Sequence, residues 1–102
     1  MKRLVVIACL LAVAGSTYAA DPAALAKKSG CLNCHEVDKK LVGPSYQDVA
    51  AKYKGDKNAQ AMLIDKVKKG GSGVWGPTPM PTNVLVSDAD VKTLVQWVLS
   101  QK

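Results

Sequence analysis

The chain has 102 residues, a formal charge of +6, three Cys, one His and no Phe. That length gives one domain and leaves no room for a second. Nucleic-acid binding is excluded, because the one Arg is Arg3, at the extreme N-terminus, and no basic run has aromatic residues interleaved.

Met1-Lys2-Arg3 is a short positive start, Leu4 to Val13 is an almost unbroken apolar run, and Gly15-Ser16-Thr17 leads to small residues, the pattern of a secretory signal peptide. Cutting after Ala19 puts Thr17 and Ala19 at the two positions that must be small, whereas cutting after Ala20 would put Tyr18 at one of them. Residues 1–19 are therefore expected to be removed, and residues 20–102 to form the mature domain in the periplasm. The apolar run is well short of the roughly 20 residues of a membrane span, so no permanent anchor is expected. Without Lys2 and Arg3, twelve Lys face eight Asp and Glu, a mature charge of +4.

Asp21-Pro22 reads as a helix cap with Pro at the first helical position, and the helix stops near Gly30. Its apolar face, Ala23, Ala26 and Leu25, is small, so something large is expected against it.

Next comes Cys31-Leu32-Asn33-Cys34-His35. Two thiols two residues apart, followed at once by an imidazole, are what attachment of a c-type haem requires: two thioethers and one axial ligand to iron. A structural zinc site wants four Cys or His ligands, and the mature chain has three. A thioredoxin-like dithiol needs a βαβ setting, and no strand-like alternation flanks the motif. A lone disulfide would leave His35 unexplained. In an oxidising compartment free paired cysteines close on each other unless something claims them, and haem is that claimant. With two Tyr, two Trp and no Phe the mature core is thin. One buried haem supplies the missing apolar mass, and the chain without it is expected to be largely unfolded.

Glu36 to Val42 has no period and ends in the turn Gly43-Pro44. Ser45 then caps a helix from Tyr46 to about Tyr53, with Tyr46, Val49, Ala50 and Tyr53 on one face. A third helix runs from about Asn58 to Lys69, with Ala59, Met62, Leu63 and Val67 inward and Gly70 at its end. Lys66, Lys68 and Lys69 suit the negative end of its dipole. From Gly70 to Asn83 four Gly and three Pro stand in fourteen residues, an irregular loop centred on Pro79-Met80-Pro81. A loop this long in so small a domain is usually functional. Ser87 with Asp90 three residues on starts the last helix, whose inward stripe is Val91, Leu94, Val95 and Val98. The predicted fold is all-α, about four helices around one haem.

The sixth ligand separates carrier from enzyme. His35 is the only histidine, so a second imidazole is excluded by counting, which leaves Met62, Met80, a lysine or water. Met62 fits a helix stripe and reads as core. Met80 fits none, and the prolines on either side stiffen its backbone.

The motifs Cys31-Leu32-Asn33-Cys34-His35, Val42-Gly43-Pro44, Gly73-Val74-Trp75-Gly76-Pro77 and Pro79-Met80-Pro81, ending in Trp97-Val98-Leu99-Ser100-Gln101-Lys102, resemble the small bacterial class I cytochromes c of the c-551/c-552 type. The resemblance covers essentially the whole mature chain. It implies terminal helices that cross and a methionine loop that closes over the haem. It assigns the thioethers to Cys31 and Cys34, the iron to His35 and Met80, and the Pro44 carbonyl to the other His35 nitrogen. It also implies a Trp75 indole bond to a haem propionate and an Asn83 bond near the Met80 sulfur. Lys66 stands where the family often has Arg on a propionate, but Lys lacks the planar fork. Thr82 replaces a common second proline, which implies a looser loop. The expected function is a monomeric one-electron carrier and not an enzyme, docking redox proteins through lysines such as Lys27, Lys28, Lys39 and Lys40. The alternative is a haem enzyme or gas sensor with an open iron, which would want a polar group over the metal.

Overall fold

The computed structural model describes residues 21–102; the expected leader and the expected first mature residue, Ala20, lie outside the described residues. The first helix, α1 (Pro22–Lys28), opens as its sequence predicts: the Asp21 carboxylate accepts from the Ala23 N–H at 3.2 Å. Pro22 fills a position where a missing N–H costs nothing. Ala26 is fully buried, but Ala23 is exposed, which corrects the expected apolar face. A two-turn helix packed only on the last helix and the turn that follows it presents a narrow edge to the core.

A single 3-10 turn, Cys31–Asn33, follows. Gly30 permits it by taking φ 80, a left-handed conformation that glycine adopts without a Cβ clash. Helices α2 (Tyr46–Lys52) and α4 (Asp88–Leu99) start at Ser45 and Ser87, whose hydroxyls accept from the Asp48 N–H at 3.1 Å and the Asp90 N–H at 3.2 Å. Helix α3 (Ala59–Lys69) begins differently. Asn58 makes no side-chain cap, and the Asp56 carboxylate instead accepts from the Asn58 N–H at 2.8 Å. Gly70, at φ 71, ends it by donating to the Lys66 carbonyl at 2.7 Å.

The hub is α4, which packs on α1, α2 and α3. Val91 on its inner face is fully buried, and Leu94 and Val95 are nearly so. Each such side chain contributes about 1.5–3 kcal/mol by leaving water. The rest of the buried apolar set, Ala26, Tyr46, Val49, Ala50 and Ala59, is mostly small. Tyr46 is the large exception. Its ring meets the edge of Trp97 at 5.4 Å and 72° and stacks on His35 at 5.2 Å and 23°, so α4 supports α2 and α2 supports the imidazole.

Two of the three lysines in the last turn of α3 are paired at home. Lys68 reaches Asp88 at 2.8 Å and Lys69 reaches Asp65 at 2.9 Å, exposed contacts that solvent screening keeps weak. No strand forms among the described residues; two isolated bridges, His35 with Lys40 and Gly71 with Met80, are the extended pairings. No helix among them is long and apolar enough to cross a membrane.

Candidate functional site

The turn after Gly30 is held by the Cys34 N–H and the His35 N–H, both donating to the Cys31 carbonyl, at 3.2 and 3.0 Å. It leaves both thiols unpaired and half-buried, facing one cavity. Burial pushes the Cys31 thiol up, opposed in part by a hydrogen bond from the Tyr46 side chain. Tyr46 itself is held well above the usual phenol range, first by burial and then by its thiol neighbour.

His35 is fixed on three sides. Its Nδ1 lies 2.8 Å from the Pro44 carbonyl. A carbonyl can only accept, so Nδ1 carries the proton and Nε2 keeps a free lone pair. Tyr46 covers one ring face, and Gly43 supplies the third constraint. A Cβ there would stand 2.5 Å from His35 Cε1, so the imidazole occupies the volume that a side chain would need. The surrounding loop is tied down by the Gly43 N–H donating to the Cys34 carbonyl at 2.7 Å. The Tyr46 and Gln47 N–H groups donate to the carbonyls of Glu36 and Val37 at 2.9 and 3.0 Å. The unpaired N–H groups at the start of α2 thus anchor the segment that carries His35.

Met80 is fixed by the end of α3. Its N–H donates to the Gly71 carbonyl at 2.8 Å and its carbonyl accepts from the Gly71 N–H at 3.0 Å. A side chain on Gly70 would collide with that same Met80 carbonyl. Three residues on, the Asn83 N–H donates to the Val67 carbonyl at 3.1 Å. Asn83 Nδ2 donates to the carbonyls of Val67 at 3.4 Å and Pro81 at 3.3 Å. Its two amide hydrogens thus reach backbone on either side of the methionine in sequence, and both bonds brace the closed loop.

Cys31, Cys34, His35, Pro44, Trp75 and Met80 all border one cavity of about 420 Å³. That volume lies inside the range of roughly 300–1,000 Å³ typical of cofactor sites. Leu94, Val95 and Val98 of α4 and Leu63 and Val67 of α3 make its walls apolar. Met62 and Lys66 border it as well. Met62 is exposed and not the core residue that its stripe suggested: with Leu63 and Val67 it borders the cavity, while Ala59 of the same stripe is buried. Asn83 borders a second gap of about 40 Å³, between Gly30, the motif and Met80. Two thiols, an imidazole with a free lone pair and a thioether around one apolar cavity fit a covalently held haem. Sequence patterns mark Gly43 as a turn and Gly70 as a helix end without their part in the site, and they miss Gly71 and the Val67 carbonyl. Their contribution is a close approach or a backbone bond, and neither leaves a periodic trace.

Comparison with known proteins points to the same cofactor. The cytochrome c family model matches residues 19–102. Cytochrome c-551 of Pseudomonas aeruginosa is 52% identical over 90 residues, 88% of this chain and 86% of that protein. Cytochrome c-552 of Hydrogenobacter thermophilus is 50% identical over the full length of both. The crystal structure of wild-type cytochrome c552 of Nitrosomonas europaea superposes with a TM-score of 0.76 at 54% identity, covering 78% of this chain and 99% of that one. The chain belongs to the cytochrome c family, which implies one covalently attached haem c.

Proposed function

We propose that this cytochrome is a monomeric periplasmic one-electron carrier. In it Cys31 and Cys34 bind haem through thioethers, and His35 and Met80 fill both axial positions on iron. The haem, when bound, supplies a one-electron ferric–ferrous couple. The observation that carries the reading is that His35 and Met80 border one cavity and are each clamped by backbone, His35 through Pro44 and Met80 through Gly71. Ligands held this way do not have to exchange between oxidation states, and an iron with both positions filled has no place for substrate.

The chain also sets the potential. A neutral thioether favours the less charged metal, and the apolar walls from Leu94, Val95 and Val98 penalise the more charged one, so the potential is high for a haem. The Pro44 carbonyl works in the other direction, since accepting from Nδ1 raises the basicity of His35. Trp75, at the cavity mouth, offers its indole N–H to a propionate. Lys27, Lys28, Lys39 and Lys40 are exposed and orient acidic redox partners.

A spectroelectrochemical titration of the haem-loaded protein tests the reading. The expected result is a fully reversible curve in which the oxidised-to-reduced ratio changes tenfold per ~59 mV, with no carbon monoxide uptake by the reduced form. Ready carbon monoxide binding or peroxide turnover would replace the carrier with an open-iron enzyme or sensor. Reduction rates by an acidic partner that ignore ionic strength would remove the lysine assignment. Mass spectrometry of the exported protein tests the expected start at Ala20.

A further inference from the structure

Between the Gly71–Met80 bridge and its own tip, the methionine loop forms an outer lobe, residues 72–79. Its internal tie is the Gly73 N–H donating to the Gly76 carbonyl at 2.8 Å. Among the described residues no hydrogen bond or ion pair joins this lobe to the helical body. Gly73 and Gly76 hold φ 107 and 113, and a Cβ on either would meet nothing within 4 Å, so no neighbouring group packs against the lobe at these two points. The lobe nevertheless carries Trp75, which is 41% exposed and borders the cavity. One charged group reaches it from outside. The ammonium of Lys52, at the end of α2, lies 5.6 Å from the centre of the Trp75 ring and 5.8 Å from that of Tyr53.

We propose that Lys52 is a positioning residue that latches the outer lobe to α2, its ammonium lying over both the Tyr53 and Trp75 rings and so fixing the indole at the cavity mouth. The physical basis is the attraction of a cation to the negative face of an aromatic ring, strongest for tryptophan and operative within about 6 Å. The second ring belongs to the residue next in sequence, so it pre-orients the lysine at little added entropic cost. The latch sets which way the indole N–H points, and with it how long the lobe stays shut. It depends on the cation and the two rings and is independent of which group is the sixth ligand of iron. It can therefore fail while the His35/Met80 reading stands, and the reverse.

The test uses the haem-loaded protein with Lys52→Gln, which removes the cation, and Lys52→Arg, which keeps one. Amide exchange at Gly73 reports lobe opening, and the Trp75 indole N–H resonance reports ring orientation, with Trp97 as the internal control. Lys52→Gln is expected to speed Gly73 exchange about two- to fivefold, the effect of one exposed cation–π contact. It is also expected to shift the Trp75 resonance while leaving Trp97 and the α4 amides unchanged. Lys52→Arg is expected to restore both readings. Unchanged Gly73 exchange and Trp75 resonance in Lys52→Gln would overturn the latch. So would an arginine variant that behaves like the glutamine one, because a merely structural lysine stem would give that result.

Discussion

Replacing Gly43 with alanine puts a methyl group where the imidazole of His35 already is. The new Cβ would stand 2.5 Å from Cε1, 2.8 Å from Nδ1 and 3.1 Å from Nε2. Ordinary carbon contacts are about 3.5–4.0 Å, so the ring has to retreat by about 1 Å. Its retreat is opposed by the stacked Tyr46 ring and by the 2.8 Å bond to Pro44. Overpacking costs about 1–3 kcal/mol. A lost hydrogen bond adds about 0.5–1.5 kcal/mol. A loss on the order of 2–4 kcal/mol lowers Tm by roughly 10–25 °C in a domain of this size. Gly43 has no positive φ, so the backbone accepts alanine and the effect is steric. Gly55→Ala is the control, with φ 78 and nothing within 4 Å of a Cβ, and it carries only the left-handed penalty of about 1–2 kcal/mol. The assay is thermal unfolding of the haem-loaded proteins, with the reduction potential measured alongside because a displaced ligand also moves that. A Gly43→Ala protein that unfolds within about 0.5 kcal/mol of the parent, at unchanged potential, would refute the claim that glycine makes room for the ligand.

Pro44→Ala keeps the carbonyl that accepts from His35 and is expected to leave the potential unchanged, losing about 0.4–1 kcal/mol through a freer unfolded chain; a large potential shift would mean that the ring of the proline, and not its carbonyl, positions the imidazole. Ser87→Ala removes the hydroxyl that caps α4 and is expected to cost about 1 kcal/mol in denaturant unfolding. An unchanged midpoint would show that the 3.2 Å bond to the Asp90 N–H contributes nothing. Cofactor removal follows from the small core: a Cys31→Ala/Cys34→Ala chain that cannot retain haem is expected to lose most of its far-ultraviolet helix signal. Full helicity in that chain would show that α4 suffices to hold the bundle.

The helices that were legible in the sequence are those whose ends depend on local chemistry. Ser45 and Ser87 announce α2 and α4 because a hydroxyl and the N–H three residues on meet within one turn of chain. Asp21-Pro22 announces α1 for the same reason. The sequence pattern starts α3 at about Asn58; the helix begins at Ala59, after a turn in which the Asp56 carboxylate accepts from the Asn58 N–H. Burial was less legible. Ala23 belongs to the expected inward face and is exposed, and of the α3 stripe Ala59 is buried while Met62, Leu63 and Val67 border the cavity, since periodicity gives a face but not what lies opposite. At the site, the Cys-x-x-Cys-His motif is contiguous and could be read directly. The pairing of Gly71 with Met80 and the bond from the Asn83 N–H to the Val67 carbonyl join residues 9 and 16 positions apart through backbone atoms whose chemistry is the same in every residue. Side-chain sequence does not encode such contacts one by one; they emerge when the loop closes.

The proposed function turns on Met80 as the iron ligand opposite His35. The most direct measurement is the absorption spectrum of the oxidised protein, in the region of the sulfur-to-iron charge-transfer band, for the parent and for Met80→Ala. The band is expected in the parent and absent in Met80→Ala, whose reduced form then binds carbon monoxide. A parent without the band, or a Met80→Ala protein that keeps it, would contradict the assignment and place another group on the iron.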